Sequence, residues 1–158
     1  MNLATELGAL FRRDITRLAQ ELRALPEDGP LWTKPPGVGN SIGNLVLHLE
    51  GNLREYIGRQ LGGVTYTRQR DLEFSQTGLN PHDLRTRMDA LIAIIPDIVA
   101  ALPDAELERI YPEKHHGRSL STAQFLMSVH GHLNYHLGQI DYLRRILTGG
   151  GAVDFAQL

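Results

Sequence analysis

Apolar residues recur every three or four positions from Leu3 to Leu25, at Leu3, Leu7, Leu10, Phe11, Ile15, Leu18, Leu22 and Leu25. That period predicts a helix with one buried face, and the charges at Arg13, Arg17, Glu21 and Arg23 fall mainly off the stripe. Pro26, Gly29, Pro30, Pro35, Pro36, Gly37 and Gly39 then break the pattern. A second periodic segment starts near Asn40 or Ser41, either of which can accept a hydrogen bond from a first-turn amide. It runs to about Leu61, where Gly62-Gly63 stops it. Residues 64 to 79 are polar and read as irregular, with a short extended piece at Val64-Thr65-Tyr66. Asn80-Pro81 is a helix entrance, because Asn caps and Pro sits where no amide donor is needed. The third helix carries Leu84, Met88, Leu91, Ile92, Ile95, Val99 and Leu102, with a kink expected at Pro96.

A second long connection, residues 103 to 120, contains Pro103, Pro112 and Gly117. Ser121 and Gln124, three apart before an apolar run, form a capping box. The fourth helix runs from there to about Leu147, and Gly149-Gly150-Gly151 closes it. The alternation of strands and helices that a parallel sheet needs is absent. The pattern therefore predicts an all-α four-helix bundle, one domain over residues 1–158.

Composition narrows the chemistry. The chain has no cysteine, which excludes disulfides, zinc–thiolate sites and cysteine nucleophiles. A formal net charge of -2 gives no electrostatic reason for a polyanion partner, and Arg68, Arg70, Arg85 and Arg87 are scattered among acids. No nucleic acid is expected. No stretch approaches the roughly 18 apolar residues of a membrane span, and no signal peptide opens the chain, so no membrane partner is expected and the cytoplasm is the expected location. The nucleophile elbow, the P-loop, the dinucleotide fingerprint and H-E-x-x-H are all missing.

Seven histidines remain. On the fourth helix His132 and His136 stand one turn apart on the side that Phe125, Val129, Leu133, Ile140 and Leu143 turn inward. Two imidazoles so placed can give two nitrogens to one divalent ion; they could instead be core residues bonded to Asn, Tyr or backbone carbonyls. His48 lies past the edge of the apolar stripe of the second helix, on a flank shared with Ser41, Asn44, Asn52, Glu55 and Arg59. It suits a third ligand at the open side of a bundle and equally an exposed histidine; spacing does not decide. His130 points to a flank or solvent, His82 to solvent, and His115 and His116 read as solvated loop residues. Asn52, Glu55, Arg59 and Gln139 are pocket candidates. Glu55 is a conceivable base, though an exposed helix side chain fits it better.

Two motifs and one connection resemble a known family. Ser41-Ile42-Gly43-Asn44-Leu45-Val46-Leu47-His48-Leu49-Glu50-Gly51-Asn52 resembles the second-helix signature of the DinB-like superfamily, which includes the YfiT-type proteins. His132-Leu133-Asn134-Tyr135-His136-Leu137-Gly138-Gln139-Ile140 resembles its fourth-helix signature, and Arg68 to Phe74 resembles a segment of one uncharacterised branch. The resemblance implies two long crossovers, a three-histidine metal site at His48, His132 and His136, and often a homodimer. The ion it implies is zinc or nickel, used in some members to activate a low-molecular-weight thiol such as bacillithiol or mycothiol. The expected function is thus a metal-dependent S-transferase or hydrolase acting on a small-molecule substrate. The alternative is a non-catalytic dimeric binding protein with a structural or vestigial histidine site.

Overall fold

Side-chain caps set where the helices begin. In the computed structural model, which describes residues 2–114 and 117–154, Asn2 Oδ1 accepts from the Thr5 amide at 3.2 Å and opens α1, Leu3–Arg23. Ser41, the second of the two expected caps, opens α2, Ile42–Leu53, through a capping box in which Asn44 answers it. Two short helices follow, α3 at Arg70–Ser75 and α5 at Asp104–Glu108. Asn80 and Asp83 cap α4, Pro81–Ala100, and Ser121 and Gln124 cap α6, Thr122–Thr148. Gly149, with φ 70°, ends α6. The architecture is all-α, with no strand among the described residues beyond a single bridge between Ile110 and Ser121. Buried apolar side chains from α1, α2, α4 and α6 form one contiguous core that includes Phe11, Leu49, Met88 and Leu133.

The chain departs from the sequence expectations in several places. No extended piece forms at Val64–Tyr66, and the stretch expected to be irregular contains α3. Six residues are too few to display a helical period. α4 itself runs through Pro96 to Ala100, as the helix expected there does. The second helix is not α-helical up to Leu61: Arg54–Arg59 form a π turn. There the amide of Gln60 bonds Glu55 O at 3.2 Å and that of Leu61 bonds Ile57 O at 3.1 Å, so both bypass the carbonyl of Tyr56. The Tyr111 hydroxyl donates to that carbonyl at 2.8 Å, and burial of the phenol raises its pKa. Tyr111 also stacks on Phe125 at 3.6 Å, so the second crossover is fastened to both α6 and the π turn. Single π turns of this kind cluster at functional sites.

Two charged residues of α1 face inward. Glu21, expected off the stripe, is completely buried and accepts a short bond from Arg144 of α6. Asp14 is also completely buried and accepts from Arg13, Arg17, Asn134 and His130. Burial alone would raise the pKa of Asp14; its hydrogen bonds, from His130 first, outweigh that and hold it well below the usual carboxylate range. Of the two directions expected for His130, flank or solvent, it takes the flank: its Nε2 lies 2.8 Å from Asp14 Oδ2, tying α6 to α1. His82 is exposed, as expected. His115 and His116 lie outside the described residues.

Candidate metal centre

α2 is buried along its entire length, between α3, α4 and α6. The flank past its apolar stripe is therefore an interior surface, and His48, only 8% exposed, points from it toward α6. One turn apart on α6, His132 and His136 meet it. His48 Nε2 lies 3.3 Å from His132 Nε2, and His136 Nε2 lies 3.1 Å from the same atom. The three rings stand nearly perpendicular to one another, with centroids 4.5 to 5.3 Å apart. One nitrogen from each falls within 4.8 Å of the others.

This arrangement fits a cation. Nitrogens bound at about 2.0–2.1 Å to a tetrahedral ion stand roughly 3.3–3.4 Å apart, close to the spacing found here. Without an ion, a proton on His132 Nε2 can be donated to the other two nitrogens; a cation at the centre instead takes a lone pair from each ring. Only a proton or a cation satisfies them together.

The outer nitrogens are held by acceptors. Glu73 Oε2 lies 2.9 Å from His48 Nδ1. Burial pushes the Glu73 carboxyl up, but bonds from Arg68 and then His48 outweigh it, so its pKa is lowered and it is ionised. An ionised carboxylate can only accept, so His48 carries its proton on Nδ1 and turns a bare Nε2 to the centre. Gln139 Oε1, 2.7 Å from His136 Nδ1, imposes the same tautomer on His136. Desolvation lowers the pKa of His136, with His48 adding to the effect against the opposing bond to Gln139; the ring is thereby kept neutral. Asn52 Nδ2 lies 3.1 Å from His48 Nε2 and 3.4 Å from His132 Nδ1. The amide thus donates toward the bare His48 Nε2, a bond that an ion at the centre would replace. The outer hydrogen bonds to Glu73 and Gln139 fix ring orientation and raise ligand basicity.

Glu73 is itself clamped. Arg68 donates from Nε to Oε1 at 2.7 Å and from Nη2 to Oε2 at 2.9 Å. Asn44 of α2 donates to the carbonyls of Glu73 and Gln76 at 3.2 and 3.4 Å, seating α3 on α2. Phe74 packs against the His48 ring at 4.9 Å. The carboxylate reaches His48 only because residue 51 is glycine: a Cβ there would stand 2.0 Å from Glu73 Oε1. Gly51→Ala is therefore expected to displace Glu73 and weaken metal binding about 10–100-fold, as loss of an outer-shell partner does, measured by titration with zinc against a competing chelator. An alanine variant that binds as the parent does would show that Glu73 plays no part in holding the ion.

A cavity of about 370 Å³ opens over His48 and His132. Tyr56, Phe125 and Val129 line it, together with Asn52, Arg68 and the exposed Arg70 and Lys114. Of the pocket residues singled out in the sequence, Asn52 and Gln139 touch the histidines. Glu55 does not: it pairs with Arg59 and borders an adjoining recess with Tyr66 and Thr67. Sequence reasoning passed over Glu73, whose only signal was its place in the Arg68–Phe74 segment.

A family model described as the DinB superfamily matches residues 10–140. The chain belongs to the DinB superfamily. A crystal structure of a DinB-like protein from Bacillus cereus ATCC 10987 superimposes with a TM-score of 0.67 at 18% identity, covering 90% of this chain and 93% of that one. At that identity it supports the DinB-like fold and says nothing of activity. A search of curated proteins gave no match.

Proposed function

We propose that this DinB-superfamily chain is a metal-dependent enzyme in which His48, His132 and His136 hold one divalent ion, zinc or nickel, and that it works as a homodimer. The observation carrying this reading is the convergence of three imidazole nitrogens, two of them with their outer N–H fixed by an acceptor. When bound, such an ion supplies an electrophilic open position that lowers the pKa of a coordinated water or thiol. The residues around it do the rest. Glu73, through His48, adds negative charge behind the ligand set, and the Arg68 clamp keeps that carboxylate from protonating. Tyr56, Phe125 and Val129 supply an apolar wall for the body of a small-molecule substrate. Arg70 and Lys114 place positive charge near the mouth. The reaction class supported is S-transfer from a low-molecular-weight thiol, or hydrolysis. The first requires a reduced thiol pool, which is the condition of the cytoplasm; among the described residues no helix is long and apolar enough to cross a membrane.

The test is metal content and turnover together. Untagged protein is expected to carry about one ion per chain, and to bind it more weakly as pH falls through the imidazole range, since all three rings must be neutral. The loaded protein is expected to accelerate transfer of a low-molecular-weight thiol to an electrophile, or ester hydrolysis, and to lose that activity on chelation. A loaded protein inert in both assays would leave a binding protein and defeat the enzymatic reading.

A further inference from the structure

The outward face of α6 carries a pattern that the metal centre does not use. Its exposed positions are Gln124, Met127, Gly131, Tyr135, Gly138, Tyr142 and Ile146, and none is charged. A helix facing water ordinarily turns its charges outward, as α1 does with Glu6 and Arg12 and α4 with Asp83 and Asp89. Tyr135 and Tyr142 are each 65% exposed, Ile146 68% and Met127 50%. From Met127 to Ile146 the positions are three or four apart, so they form one stripe along the helix.

The stripe is complementary to its own reverse. About a midpoint between His136 and Leu137, Tyr135 mirrors Gly138, Tyr142 mirrors Gly131, and Met127 mirrors Ile146. Two copies of α6 laid antiparallel about a two-fold axis at that point would set each tyrosine ring against a glycine. Both hollows are open: beyond the helix itself, nothing among the described residues lies within 4 Å of a Cβ built on Gly131 or Gly138. The four large side chains expose on the order of 500 Å² per protomer. A pair could cover up to about 1,000 Å² through these side chains, with flanking contacts adding to it, at the lower threshold of specific interfaces.

We infer that this face is the homodimer interface, formed by α6 packing antiparallel on α6 of a second copy. The inference rests on the homodimer included in the functional reading and adds its place and register. The interface also reaches the metal centre, because the Tyr135 ring packs edge-on against His136 at 5.1 Å.

Sedimentation equilibrium of the full chain tests it. The parent is expected at twice 17.6 kDa, and Tyr142→Lys, which would place an unpaired charge in the joint, at 17.6 kDa with unchanged circular dichroism. Because the chain has no cysteine, single cysteines report the register. In the antiparallel arrangement the two copies of position 138 are offset by about 4.5 Å along the axis and those of position 127 by about 28 Å. Gly138→Cys is therefore expected to form a disulfide dimer on oxidation and Met127→Cys not to. A parent dimer that survives Tyr142→Lys and does not cross-link through Gly138→Cys overturns this interface while leaving dimerisation standing. Cross-linking of both cysteines overturns the antiparallel register. A monomeric parent overturns interface and homodimer alike, and gives the face to a different partner.

Discussion

His132→Ala is expected to abolish metal binding. His132 Nε2 is the shared neighbour of the other two, 3.3 Å from His48 Nε2 and 3.1 Å from His136 Nε2. Its removal leaves two nitrogens that no longer enclose a centre. The loss in affinity should exceed the roughly 10–100-fold that an outer-shell change costs. Its thermodynamic counterpart is readable without any activity assay. An ion present at 1,000 times its Kd stabilises the folded chain by about 4 kcal/mol. The parent should therefore lose several degrees of Tm in chelator, while His132→Ala melts at one temperature with or without it. Equal chelator sensitivity in the two proteins would place any bound ion somewhere other than at these histidines.

Arg144→Met is expected to cost about 3–5 kcal/mol of stability, because it leaves the Glu21 carboxylate buried without its counter-charge. Both side chains are almost wholly withdrawn from water, at 0% and 2% exposed. Desolvation already outweighs the attraction of Arg144 enough to raise the pKa of Glu21, and Glu21 Oε1 has no hydrogen-bond partner among the described residues. The guanidinium also donates to the carbonyl of Gly151 at 2.9 Å, so the same change frees the segment after α6. Urea unfolding of parent and variant measures the cost. A difference below about 1 kcal/mol, the scale of a surface ion pair, would mean that the pair is solvated in solution. The sign with pH follows from the raised pKa of Glu21. Its charge penalises the folded state, so the parent's stability at this site is greatest below the usual carboxylate range and declines as pH rises through the raised value.

The residues reveal some parts of this molecule and conceal others for physical reasons. Helix starts are legible because caps are local: Ser41 with Asn44, Asn80 with Asp83, and Ser121 with Gln124 are each three residues apart. The pairing of His132 with His136 is legible for the same reason, as adjacent turns of one helix. The position of His48 is not, because a stripe edge means solvent only on a helix that has a solvent side, and α2 has none. The Asp14–His130 and Glu21–Arg144 contacts join residues 116 and 123 apart in sequence. No periodicity carries such pairings, so Glu21 reads as a surface charge and His130 as a spare histidine. Glu73 is hidden twice over, in a helix too short to show a period and opposite a glycine whose purpose appears only once α3 lies against α2.

Anomalous diffraction from zinc-loaded crystals, recorded on both sides of the zinc edge, tests the metal centre most directly. One peak is expected per chain, about 2.0–2.1 Å from Nε2 of each of His48, His132 and His136, with Glu73 still on His48 Nδ1. A peak bound by fewer than these three rings, or none at full zinc occupancy elsewhere, would contradict the account.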